Sequence, residues 1–233
     1  MLLIYSGDVP DLDAILVDEL NAVNGSMLIL PVSPGECKDA KILANCFRGI
    51  GVKALSLSQA AYSSPNSLAK NLMSSNAVYL MGGNTFDFLQ FARSVNLFQI
   101  LTQFEANGGI IAAESAGSIL LSDSIATARL PSYDADENRA GMIDLQGMGR
   151  ISFHISPHFE QHTYIAEGGL RELQSLANVS NQDVILLEDG EGFVMQGDRI
   201  SQFIGEMKVL SPRQSSQFEL DDVLSINPSL STA

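Results

Sequence analysis

The sequence predicts an α/β protein built on a doubly wound, mostly parallel sheet. Two observations in its first half carry that prediction: short, near-continuous apolar runs recur, and amphipathic stretches with helical spacing separate them. A strand buried on both faces reads as an unbroken apolar run, and the helices that connect parallel strands supply the cover on each face.

In order, the runs are residues 2–6, 27–33, 52–57, 77–81 and 109–113. Leu12, Ile15, Leu16, Leu20 and Val23 form an apolar stripe opposite Asp13, Asp18 and Glu19, and Asn24-Gly25 closes that helix. A second helix is expected over 39–49, with Cys46 filling core beside Ile42, Leu43, Phe47 and Ile50. Further helices start near Asn84-Thr85 and near Val95-Asn96, the latter stopping at Asn107-Gly108-Gly109. After Ser124 the pattern changes. Residues 129–150 carry Pro131, three glycines and the acidic cluster Asp134, Asp136 and Glu137, which reads as a long loop over the sheet. A strand at 151–156, a helix near 163–177, a strand at 183–187 and a hairpin through 192–195 and 199–204, turning at Gly197-Asp198, complete the pattern. One domain is expected over 1–226, followed by a frayed Ser/Pro-rich tail at 227–233.

Composition narrows the function. In 233 residues, 13 Lys and Arg face 27 Asp and Glu, a formal charge of −14. A chain of this length buries roughly 70–75% of its unfolded surface, so neither a metal nor a disulfide is needed for a core. Its charge argues against nucleic acid and anionic membrane, because neutralising phosphates takes clustered Lys and Arg. Cys37 and Cys46 form neither a disulfide framework nor a zinc spacing. The histidines lack a ligand-like partner spacing, so no metal and no cofactor is expected. The N-terminus lacks the basic and apolar regions of a signal peptide, and no run reaches the ~18 apolar residues of a membrane span, so a cytoplasmic protein is expected.

The segment Gly108-Gly109-Ile110-Ile111-Ala112-Ala113-Glu114-Ser115-Ala116-Gly117-Ser118 carries the chemistry. An apolar strand runs into Glu-Ser-Ala-Gly with a helix-compatible stretch behind it. Ser115 therefore sits on a strand-to-helix turn, where a nucleophile elbow exposes its hydroxyl, although Ala113 replaces the first glycine of the usual pattern. An N-capping serine would occupy the same position. A second glycine-rich strand end, Met81-Gly82-Gly83-Asn84-Thr85, favours the elbow, since acyl transfer needs two amide donors converging on an oxyanion. Gly83 and Ala116 are the candidate donors. Of the three histidines, His154 lies inside a strand as a packed or surface strand residue, His158 follows Pro157 at that strand's end as the best base, and His162 is placed to bind substrate or to be solvated. The carboxylate that orients such an imidazole is sought at Asp134, Asp136 or Glu137, giving the chain order nucleophile, acid, base.

Three blocks, Gly82-Gly83-Asn84-Thr85-Phe86, Glu114-Ser115-Ala116-Gly117 and Ser156-Pro157-His158-Phe159, in this order and at these intervals, resemble the dipeptidase E (α-aspartyl dipeptidase) family of serine peptidases, cyanophycinase-like relatives included. The resemblance covers about residues 1–205. It implies a flavodoxin-like or class I glutamine-amidotransferase-like sandwich with a Ser-His-Asp/Glu triad. It makes Ser115 the nucleophile, His158 the base, Gly83 and Ala116 the oxyanion donors, and Asp134 or Asp136 the acid, with Asp134 preferred. Asn84, Glu114, His162 and Arg171 are the candidates for substrate binding. A small peptide is the implied partner and a homodimer the assembly that family analogy suggests. Members specific for N-terminal aspartate carry several basic residues after the histidine. Here residues 160–173 offer only His162 and Arg171 beside Glu160, Glu167 and Glu172, which weighs against strict Asp-X specificity. The implied activity is dipeptidase-like hydrolysis, with a preference for N-terminal Asp or another acidic residue. The alternative is a non-catalytic or regulatory small-molecule-binding domain that retains the fold. An amidotransferase would need cysteine at position 115, and cleavage of acidic polymers would need a basic cleft.

Overall fold

The computed structural model describes residues 1–212 and 224–226; the tail expected at 227–233 lies outside them. The first half contains β1 (Leu2–Tyr5), α1 (Pro10–Ala22), β2 (Ser26–Leu30), α2 (Cys37–Gly49), β3 (Lys53–Ser56), α3 (Gln59–Tyr62), α4 (Pro65–Met73), β4 (Ala77–Leu80), α5 (Thr85–Ser94), α6 (Leu97–Ala106), β5 (Ile110–Glu114) and α7 (Ala116–Leu120). The second half contains β6 (His154–Ser156), α8 (Gln161–Ala166), α9 (Gly169–Ser180), β7 (Val184–Leu186), β8 (Gly192–Gln196), β9 (Arg199–Ile204), β10 (Met207–Leu210) and β11 (Leu224–Ile226).

The main sheet runs β3-β2-β4-β5-β1-β8-β9, its first five strands parallel and the β8–β9 hairpin antiparallel on the edge of β1. Its central strands are buried on both sides, which explains their unbroken apolar sequences. Leu3, Tyr5, Met27, Ile29, Tyr79 and Ala112 pack against Leu12, Leu16 and Leu20 of α1 and Ala40, Ala44 and Phe47 of α2. Ile4, Leu28, Leu30, Val78, Ile111 and Ala113 face a larger core that includes Leu68, Leu72, Phe88 and Leu101. A second sheet, β11-β10-β7-β6 among the described residues, holds β6 and β7 as a parallel pair. No helix among the described residues is long and apolar enough to cross a membrane.

The doubly wound architecture and the C-terminal hairpin are those expected, with four differences of detail. On α2 the inward stripe is Ala40, Ala44 and Phe47, while Cys46 is exposed and Ile42 and Ile50 are 54% and 63% exposed. Two apolar stripes compete on this helix, and the alanine stripe gives the closer approach to the sheet. The helices α3 and α4 were not legible from periodicity, being short and burying only Tyr62, Leu68 and Leu72; serine caps start them, Ser58 Oγ accepting from Ala61 N and Ser64 Oγ from Ser67 N. The single helix expected at 163–177 is two, because Gly168 at φ +80° ends one and opens the next. Finally, β8 occupies the edge of β1, so β6 and β7 build the second sheet instead of extending the first.

Candidate active site

Parallel register brings three strand ends together: Tyr5 pairs with Glu114, Ile4 with Ala113, and Leu80 with Ala113. Ser115 is the next residue after β5, at φ 49° and ψ −111°. A non-glycine residue in this region carries a cost of about 1–3 kcal/mol and persists only where its surroundings over-determine it. They do so here. Ser115 N–H continues the ladder onto Tyr5 O at 3.0 Å, and Ser115 O accepts from Ile119 N at 3.0 Å to open α7. The buried Ser118 hydroxyl lies 2.6 Å from Ala113 O and 2.9 Å from Tyr5 O. A Cβ on Gly117 would stand 2.5 Å from Leu80 O, so α7 rests directly on the end of β4. Ser115 Oγ makes no capping hydrogen bond to α7, and its hydroxyl points elsewhere.

It meets His158. The imidazole Nε2 lies 2.8 Å from Ser115 Oγ, and Nδ1 lies 2.6 Å from Asp189 Oδ1. A neutral ring with its proton on Nδ1 donates to Asp189 and accepts from the serine. His158 follows β6 in a left-handed conformation, φ 56°, and Asp189 lies on the turn between β7 and β8. Because Ser156 pairs in parallel with Leu186, the chain emerges from both strands on the same side, two residues before the histidine and three before the aspartate.

Asp134 and Asp136 therefore do not supply the carboxylate on the imidazole, and the order along the chain is serine, histidine, acid. Asp136 instead accepts from Thr85 N at 2.8 Å, which ties the long loop to the start of α5. Asp134 is exposed at the cleft wall. A readable signal for Asp189 existed: Asp189-Gly190 directly after an apolar strand is a turn at a strand's carboxyl end, the same setting as His158.

The remaining candidates divide. Asn84 is a helix cap: Oδ1 accepts from Asp87 N at 3.1 Å and Nδ2 donates to Glu137 O at 3.0 Å. Glu114 accepts from Tyr79 Oη at 3.2 Å, and its carboxyl carbon lies 3.8 Å from where a Cβ on Gly82 would stand. Arg171 is exposed on α9 and lines another groove with Leu130, Leu176 and Val179, and His162 is exposed on α8. His154 is buried beside Ser124 and Asp123; burial holds its imidazole below the usual histidine range, against the opposing effects of those two residues.

Ser115 and His158 open onto a cleft of about 80 Å³, walled by Gly83, Asp134, Asp136 and Tyr164 among others. Among the described residues, its lining includes no Lys or Arg. Tyr164 packs edge-on against Phe159 at 4.8 Å, and burial pushes its hydroxyl up to about 12, so it remains a proton donor. A larger space of about 500 Å³ opens at the opposite end of the main sheet, by Met1, Asn76 and Gly109, remote from these groups.

A serine, a histidine and an aspartate in hydrogen-bonded series at the carboxyl rim of an α/β sheet define the hydrolase type of arrangement, reached here on an elbow as in other α/β hydrolytic folds. The profile of peptidase family S51 matches residues 10–203, and the chain belongs to that family. It is 25% identical over 129 residues to the uncharacterized peptidase Lin0382 of Listeria innocua serovar 6a, a match covering 53% of this chain and 61% of that one. The fold is shared with a crystal structure of a candidate peptidase E protein from Listeria monocytogenes EGD-e, at TM-score 0.65 and 19% identity over 85% of this chain and 95% of the other. It is shared as well with a peptidase from an acI-B1 Actinobacterium, at TM-score 0.66 and 16% identity over 97% and 96%.

Proposed function

We propose that this chain is a serine peptidase that hydrolyses small peptides through an acyl-enzyme on Ser115. The observation that carries the reading is the unbroken series from Ser115 Oγ to His158 Nε2, 2.8 Å, and from His158 Nδ1 to Asp189 Oδ1, 2.6 Å. His158 takes the hydroxyl proton as Ser115 attacks the carbonyl carbon, Asp189 steadies the imidazolium that forms, and His158 returns the proton to the leaving amine. Water then enters by the reverse sequence, with His158 again as base, and frees the acid product.

Gly83 and Ala116 N–H are assigned to the oxyanion. Gly83 lines the same cleft as Ser115 and adopts φ +139°, and a Cβ there would lie 2.8 Å from Val32 Cγ2, so the position takes only glycine. Ala116 is the first residue of α7, where an amide has no acceptor within the helix.

The cleft's size favours a short peptide, being far below the several hundred Å³ of a site that encloses a drug-sized ligand. Asp134 and Asp136 in its wall, with no lining Lys or Arg among the described residues, favour a free α-ammonium or a neutral side chain over an N-terminal aspartate. The test is a panel of Asp-X, Glu-X, Ala-X and isoaspartyl dipeptides on wild type and Ser115→Ala, with fluorophosphonate labelling mapped by mass spectrometry. Turnover of one class that Ser115→Ala abolishes, with label on Ser115, supports the reading. A folded protein that hydrolyses none and is not labelled at Ser115 overturns it in favour of a binding domain.

A further inference from the structure

His158 and Asp189 keep a 2.6 Å contact although their side chains are 47% and 75% exposed. An exposed pair of this kind contributes little on its own, so the two backbones have to be held from beneath. We propose that Ser6 is a positioning residue that keeps the base and the acid in register, and that Glu191 completes the brace from the far side of the acid's turn. The proposal rests on reading Ser115, His158 and Asp189 as one relay.

Ser6 follows β1 and is fully buried. Its Oγ accepts from His158 N at 2.7 Å and donates to Leu187 O at 3.0 Å, two residues before Asp189. One hydroxyl thus joins the main chain of the base to the strand end that carries the acid. His158, left-handed at φ 56°, donates its N–H to Ser6 Oγ, while Phe159 N–H takes the strand partner Leu187 O. The same junction is stitched by Phe159 N–H on Leu187 O at 2.8 Å and Leu187 N–H on Ser156 O at 3.0 Å. Gly7, the next residue, leaves the space the relay needs: a Cβ there would lie 3.0 Å from Asp189 Oδ1 and 3.6 Å from His158 Cε1.

Glu191 shapes the turn itself. Its buried carboxylate accepts from Glu188 N at 2.8 Å and Glu206 N at 2.9 Å, while Glu191 N–H closes the turn on Glu188 O at 3.0 Å. Asp189 therefore sits in a four-residue turn closed by main chain and by side chain, and Ser6 N–H donates to Glu191 O at 3.1 Å. The two braces meet directly.

The experiment compares wild type, Ser6→Ala, Ser6→Thr and Glu191→Gln by the second-order rate of fluorophosphonate labelling at Ser115, by the far-downfield Nδ1 proton resonance of His158, and by thermal unfolding. Displacement on the scale of an ångström in such a site costs up to about 100-fold. Ser6→Ala is expected to lower the labelling rate about 10- to 100-fold and to lose the resonance, while Ser6→Thr, which keeps the hydroxyl, retains both. Glu191→Gln keeps the shape but offers one acceptor oxygen to two N–H donors, and is expected to weaken the resonance and the rate in the same direction. Labelling within twofold of wild type in Ser6→Ala, with the resonance intact, would overturn the proposal and leave Ser6 a packing residue. Should Ser6→Ala not fold, Glu191→Gln decides: an unchanged resonance overturns the brace, and a lost one supports it. Absence of label in wild type would defeat the peptidase reading alone, because the resonance reports the brace without turnover.

Discussion

The elbow and the acid's turn reach the same imidazole by opposite means. Ser115 stands among buried neighbours, with Ala113 and Ala116 at 0% and 1% exposure, and its strained backbone is held by three strand ends and the first turn of α7. Asp189 stands on an exposed turn whose one left-handed residue is Gly190, and a hydrogen bond between residues 181 positions apart ties its strand end down. Ser115 is placed by local sequence that packing then enforces; Asp189 is placed by which strands become neighbours. A strained residue needs a rigid surround, and an exposed carboxylate needs a rigid turn.

The contrast can be broken at either end. Ser115→Ala is expected to lower turnover about 10⁴- to 10⁶-fold, measured with whichever dipeptide the wild type accepts. Asp189→Asn should cost about 10²- to 10⁴-fold with little change in KM, because it removes the carboxylate that steadies the imidazolium. Asp134→Asn and Asp136→Asn should stay within about one decade of wild type in kcat; a hundredfold loss of kcat at unchanged KM in either would return the acid's role to the long loop. Gly117→Ala sharpens the elbow's side of the comparison. With a Cβ 2.5 Å from Leu80 O the main chain has to shift, and about 1–3 kcal/mol of stability should be lost, readable as a drop in Tm.

The smallest effect separates the histidine that opens β6 from the one that follows it. Burial lowers the His154 imidazole's affinity for a proton in the folded state, so the unfolded chain binds protons first as pH falls. Stability should be full above about pH 6.5 and decline as pH falls below it. In His154→Leu that slope should flatten, as followed by urea unfolding at a series of pH values, while labelling of Ser115 at pH 7.5 is unchanged.

Much of this was legible in one dimension. Apolar runs covered on both faces announced the parallel sheet, and the serine, the glycines at 82 and 83 and the histidine after Pro157 each stood at a strand's end. Cys46 misled because α2 carries two apolar stripes, and only contact with β2 and β3 shows which one faces inward. Asp189 was missed because the acid was sought between serine and histidine, in a loop whose charges serve the start of α5.

Local composition determined where Ser115, His158 and the glycine-rich turn would lie, because small residues and strand-to-helix switches act within a few positions of themselves. Tertiary structure decided which carboxylate joined them. The parallel pairing of β6 with β7, and the Ser6 hydroxyl beneath it, are matters of strand adjacency. Adjacency follows from how the whole sheet closes, and no window of sequence contains it.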